Sequence, residues 1–141
     1  MSFRHSLLTL EITESTEMRD WTTARAILTA LKDLGARVSI DDFGTGYSSL
    51  AYLRSTSADE LKIDRSLVEE IETSRKAKLL LASVLDIARN MDLSVVVEGV
   101  ETEQQADILR GLGVRYVQGF LFGRPSHWRD ALAKTRPNAA A

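Results

Sequence analysis

The sequence has no cysteine and only two prolines and two histidines among its 141 residues. Without cysteine there is no disulfide scaffold, no thiol nucleophile and no cysteine-ligated zinc, and the chain suits a reducing compartment. With so few prolines and no Gly/Ser-rich stretch, nothing marks a linker at which the chain would divide. The longest apolar run is four residues, Leu79–Ala82, far short of the ~20 needed to span a bilayer as a helix. The first ten residues carry no apolar core followed by a small-residue cleavage site, so a cytoplasmic location is expected. Charge of one sign is also scarce. With 18 Lys+Arg against 20 Asp+Glu the net charge is −2, which offers no general attraction to DNA, RNA or an anionic membrane.

What is present has the balance of a globular domain, 44% hydrophobic and 27% charged, in a chain long enough to bury a core. Residues 1–135 read as one domain, and 136–141, ending in three alanines, as a disordered tail. Short apolar runs alternate with helical patterns. Strands are predicted at 7–12, 37–41, 60–64, 94–98 and 114–118. Met18, Trp21, Ala24, Leu28, Leu31 and Leu34 recur at helical spacing, as do Leu80, Val84, Ile87 and Met91. Thr102 followed by Gln105 predicts a capping box for a helix carrying Ala106, Leu109 and Leu112. Ser126 is expected to cap a last short helix with Trp128, Ala131 and Leu132 on one face. Five strands alternating with helices imply an α/β fold with a parallel sheet and right-handed crossovers.

Polar residues stand where the strands end. Glu11, Asp41, Lys62, Glu98 and Gln118 each fall at or near the C-terminal end of a different predicted strand, Asp42 follows Asp41, and Glu101 follows Glu98 by three. In parallel α/β folds that edge is where ligands bind. A single carboxylate there is more often a helix cap or a solvated loop residue, and a single lysine more often a surface one. The set is different, because its members would converge on one edge. Like charges so placed need a cation or raised pKa values to coexist. Carboxylates without histidine or cysteine favour a hard cation, Mg²⁺ or Mn²⁺, over zinc, and the adjacent pair Asp41-Asp42 suits bridging of two metals in phosphate-ester hydrolysis. His5 and His127, isolated near the two ends, read as non-ligands, and Trp21 and Trp128 as core or interface residues. The segment Asp42-Phe43-Gly44-Thr45-Gly46-Tyr47-Ser48-Ser49-Leu50 holds two glycines that permit a lid or a ligand-contacting loop, the alternative being an ordinary strand-to-helix turn capped by Ser48.

Five motifs in order then carry a resemblance. Leu10-Glu11-Ile12-Thr13-Glu14, Asp41–Leu50, Leu61-Lys62-Ile63-Asp64, Glu98-Gly99-Val100-Glu101-Thr102 and Gln118–Pro125 resemble the EAL-domain family over about residues 7 to 130. The resemblance implies a TIM-type barrel and a bacterial cyclic-di-GMP phosphodiesterase that opens the cyclic dinucleotide to linear pGpG with Mg²⁺ or Mn²⁺. It implies that Glu11 and Asp41 are first-site metal ligands, with Asp41 bridging to a second metal held by Asp42. Lys62 would help to position the attacking water, and Glu98 would be the general base or a second-site ligand. Glu101 would steady the glycine-bearing loop Phe43-Gly44-Thr45-Gly46, and Gln118 would support the site. Arg124 and Pro125 would be structural.

The chain also departs from the family pattern. The Glu-Ala-Leu motif, whose glutamate is a metal ligand in the family, has no counterpart here, nor has a ligand asparagine from a segment before Leu7. Eight βα units need roughly 200 residues or more, and five fit here. The expected fold is therefore the C-terminal five βα units of a TIM-type barrel, the alternative being an open, flavodoxin-like five-stranded parallel sheet. Open edges invite pairing, so a homodimer, or completion by an upstream barrel segment, is expected. Three functions follow: an enzyme, whose activity in this chain alone depends on the two absent ligands; an inactive nucleotide-binding or protein-interaction module; or an inert fragment.

Overall fold

A computed structural model of the chain describes residues 8–13, 21–45, 53 and 56–130. Its elements run β1 (Thr9–Thr13), α1 (Trp21–Asp33), β2 (Arg37–Phe43), β3 (Glu60–Ile63), a 3₁₀ turn (Arg65–Leu67), α2 (Arg75–Asn90), β4 (Ser94–Val97), α3 (Glu103–Gly111) and β5 (Tyr116–Val117). The five strands form one parallel sheet in the order β1-β2-β3-β4-β5.

The sheet is five-stranded, parallel and open, as the alternative has it, but its strand order is not flavodoxin-like. A flavodoxin-like sheet reverses direction at its first strand, whereas here each strand is added beside the last. With right-handed crossovers this winding sets every connecting helix on one face, which is how the wall of a (β/α)₈ barrel is built. The sheet is open, and among the described residues β1 and β5 each pair with one neighbour.

Side-chain alternation sorts the two faces. Ile40, Leu61, Ile63 and Val97 pack with Leu81, Val84, Leu85 and Ala88 of α2 and with Ala106 and Leu109 of α3, all buried. Burial of each such aliphatic side chain is worth ~2 kcal/mol, so this layer holds the helices to the sheet. The intervening residues, Ser39 and Asp41 on β2, Lys62 on β3 and Val96 on β4, take the opposite face.

The helix ends follow the sequence. Ser74 caps α2, accepting from the Ala77 N–H (3.1 Å). At α3, Thr102 Oγ1 accepts from Gln105 N (3.0 Å) and Gln105 Oε1 accepts from Thr102 N (3.2 Å), the expected capping box. β5 is shorter than predicted because the Val114 N–H is taken by Leu109 O at the end of α3 (3.0 Å). The last turn, residues 128–130, is closed by His127 and not by Ser126: His127 Nδ1 accepts from Arg129 N (3.4 Å) and His127 O from Asp130 N (2.9 Å). Trp128 is 63% exposed and so is not a core residue of this chain. The Trp21 side chain, Gly46–Leu50, and Ala131, Leu132 and the tail lie outside the described residues. Among the described residues no helix is long and apolar enough to cross a membrane.

Candidate active site

Parallel strands in sequential order bring their C-terminal ends to one edge. Lys62, the penultimate residue of β3, is the centre of what gathers there. Its Nζ lies 2.9 Å from Glu98 Oε1, 3.0 Å from Asp41 Oδ1 and 3.1 Å from Glu11 Oε1. The three carboxylates come from the turn after β4, from β2 and from β1, so one ammonium joins four consecutive strands. Lys62 is only 9% exposed. Burial alone would lower its pKa, but the hydrogen bonds it donates to Glu98, Asp41 and Glu11 outweigh that and the net shift is upward, keeping the charge firmly in place.

Asp41 and Asp42 occupy an irregular stretch of β2. Ile40 pairs with Leu61 and Phe43 with Ile63, so three steps along β2 match two along β3. The extra residue is a β-bulge, and Asp42 takes the left-handed conformation there, with φ 59°, which costs a non-glycine residue free energy and recurs at functional sites. The Asp42 N–H donates to Asp41 Oδ1 (3.1 Å). Phe43, expected in the following loop, is the last residue of β2 and is buried in the core. Gly44 (φ 114°) follows, where a Cβ would meet the Leu67 side chain at 2.5 Å, and the Thr45 hydroxyl donates to Asp42 O (3.1 Å). Gly46 lies outside the described residues.

Gln118 follows β5, its N–H donating to Val97 O (2.8 Å) and its carbonyl accepting from Val100 N (3.1 Å). It lines a cavity of about 230 Å³ with Arg65, Glu98, Gly99, Glu101 and Phe120. Glu101 does not join the carboxylate group: its Oε1 meets Arg65 Nη1 at 2.9 Å, on the turn after β3. Arg65 lies outside the five motifs, and its one local signal is the four-residue spacing to its second partner, Glu69 (2.8 Å). Asp64, within a motif, caps the 3₁₀ turn, its Oδ1 accepting from Ser66 N (2.9 Å).

As a donor set, Glu11, Asp41, Asp42 and Glu98 offer only carboxylate oxygen, which suits a hard divalent cation by type. Among the described residues, no three acidic or histidine side chains already converge as a metal cage. What the geometry supplies directly is one buried positive charge with three carboxylates around it, two of them partly buried.

The EAL domain family model matches residues 2–125. The bifunctional diguanylate cyclase/cyclic di-GMP phosphodiesterase MucR of Pseudomonas aeruginosa is 46% identical over 134 residues, which cover 92% of this chain and 20% of MucR. The chain thus spans about a fifth of that curated relative. Among solved structures, the PaMucR phosphodiesterase in complex with c-di-GMP is similar with a TM-score of 0.81 and 44% identity, over 91% of this chain and 52% of that one. BlrP1 of Klebsiella pneumoniae, in a manganese and cyclic-di-GMP complex, has a TM-score of 0.80 and 37% identity, over 87% of this chain and 31% of its own.

Proposed function

The chain belongs to the EAL domain family, a family with TIM-type barrels, and on that premise we propose that it carries the C-terminal part of a cyclic-di-GMP phosphodiesterase. In this reading, residues 1–135 are a partial EAL domain that helps to hydrolyse cyclic-di-GMP to linear pGpG with two divalent metals, Mg²⁺ or Mn²⁺. The observation that carries it is the meeting of Lys62 with Glu11, Asp41 and Glu98 at the C-terminal edge of the sheet.

Glu11, Asp41 and Asp42 would hold the metals. Bound there, the cations would lower the pKa of a water and neutralise charge on the phosphate. The protein's own part begins with Lys62, whose charge faces the phosphate oxygens and orients the water beside them. Glu98, 2.9 Å from that ammonium, would accept the water's proton. The water oxygen bonds to phosphorus, the bond from phosphorus to the ribose O3′ breaks, O3′ takes up a proton in place of the one given to Glu98, and the ring opens to pGpG. Gln118 and Glu101 support the site from the neighbouring turns, and Gly44 and Thr45 follow β2 beside it.

The open edges at β1 and β5 also support completion of the barrel, by a second copy or by an upstream segment. A second reading, an inactive nucleotide-binding or interaction module, is favoured by one observation, the lack of a ready-made three-acid metal cage among the described residues. Both readings carry the expectation of a cytoplasmic location. The test is turnover of cyclic-di-GMP by the purified chain with Mg²⁺ or Mn²⁺, products separated by chromatography, beside Glu98→Gln. Formation of pGpG by the parent and not by the variant supports the enzyme. Tight nucleotide binding without product supports the module.

A further inference from the structure

Arg65 ties together two turns that border the site. Its backbone sits three residues beyond Lys62, in the 3₁₀ turn after β3. Its guanidinium reaches Glu101 in the turn after β4 through Nη1 (2.9 Å), and its own neighbour Glu69 through Nε (2.8 Å). The stem of the side chain lies against Gly99, the residue directly after Glu98. A Cβ at Gly99 would stand 2.5 Å from Arg65 Cβ and 2.6 Å from Cγ, so this close approach exists only because residue 99 has no side chain. Gly99 and Glu101, separated by one residue, are thus both held by one arginine, and Glu98 directly precedes Gly99. The same arginine lines the cavity shared by Glu98 and Gln118.

We propose that Arg65 is a positioning residue, which fixes the turn after β4 against the turn after β3 and thereby sets the Glu98 carboxylate against Lys62; its bearing on turnover rests on the phosphodiesterase reading. The contribution is geometric. Arg65 is 52% exposed, and solvent-exposed ion pairs add little to stability, so the expected signature is a local loosening with an unchanged global melt.

The test compares the 141-residue parent with Arg65→Ala, Arg65→Lys and, as a control that keeps the Glu101 contact, Glu69→Gln. Hydrogen exchange is read over residues 98–102, where the Glu98 N–H donates to Ile63 O (2.9 Å) and the Val100 N–H to Gln118 O (3.1 Å). Arg65→Ala is expected to speed exchange there about tenfold, with α2 unchanged and a melting temperature within about 2 °C of the parent. It is also expected to lower kcat on the order of 10-fold at unchanged KM, as small misplacements of a reacting group do. Arg65→Lys, which keeps stem and charge but loses the planar fork, should recover part of both losses, and Glu69→Gln should lose neither. Unchanged exchange at 98–102 overturns the proposal, as does a rise spread over all elements with a lowered melt. Faster local exchange with unaltered kcat overturns its bearing on Glu98. A parent without turnover refutes activity of this chain by itself, and the exchange data alone then decide the tie.

Discussion

Replacing Lys62 by methionine keeps most of the stem's volume and removes the one charge around which three carboxylates are arranged. Each contact of 2.9 to 3.1 Å is worth about 5 kcal/mol of gross attraction at an effective dielectric constant of 20. That gross figure is offset by desolvation of the ammonium and by repulsion among its partners. Glu11, with a side chain 52% exposed, can turn to water when the lysine goes and contributes little. Asp41 and Glu98 are partly buried and cannot do so as freely, which places the loss near the lower end of the range for breaking a buried ion pair, about 3 kcal/mol. For a chain of this size that is a fall in Tm of about 10 °C. The measurement is thermal unfolding followed by circular dichroism at neutral pH with a chelator present, with Lys62→Arg as the charge-retaining comparison. Because the ammonium is buried, most of the difference should survive high salt, which would erase a surface pair. A Lys62→Met variant that melts with the parent or above it, or a difference that vanishes in salt, would show that the cluster is loosely solvated and refute the reasoning.

Two further outcomes follow. Asp42→Gly should raise stability by about 1 kcal/mol, since glycine adopts the left-handed conformation at φ 59° without steric cost, and should abolish pGpG formation; a lower Tm would show that the Asp42 carboxylate stabilises the bulge. Asp59 is pulled in two directions: burial pushes its pKa up, but the Lys32 ammonium and the Val38 N–H, each 2.8 Å away, hold it below its ordinary value of 3.8. A depressed carboxylate contributes stability that is present above its unfolded pKa and lost as pH falls through the folded one. Asp59→Asn should therefore melt below the parent at pH 5 to 8, by about 1 kcal/mol, and the gap should close below pH 3.8. A gap that persists in acid would point to packing and not to charge.

The fold was legible where local chemistry and tertiary structure agree. Val95-Val96-Val97, Leu61-Lys62-Ile63 and Arg37–Ile40 read as strands and are strands, because short runs rich in branched residues between turn signals have few other ways to bury themselves. The α3 cap was legible because both of its partners lie within one helical turn. What could not be read depends on distant neighbours. Val114 looks like strand, but whether it pairs or closes α3 is settled by the Leu109 carbonyl it meets. Trp128 looks like core by its spacing, yet the surface that would cover it lies outside the sheet and helices described. The spacing to Glu69 marks Arg65 only as one half of a surface pair, since its tie to the turn after β4 comes from Gly99 and Glu101, more than thirty residues on.

The adjacent acids of β2 show how far such reading can reach. In a regular strand Asp41 and Asp42 would face opposite sides of the sheet, and only one could serve an edge site. Ile40 and Phe43, however, both belong to the core beneath the helices, and an odd separation of three cannot put two residues on the same face of a regular strand. The contradiction appears only with the structure, because the expected strand ends at residue 41 and leaves Phe43 in a loop, whereas Phe43 ends β2 and is buried. It is resolved only by an extra residue, which is what the register shift and the positive φ of Asp42 supply. The burial of Phe43 thus drives the bulge: the core contact is worth ~2 kcal/mol, enough to offset ~1 kcal/mol for a left-handed aspartate. The strain carried at Asp42 is held in place by an apolar residue that takes no part in the chemistry.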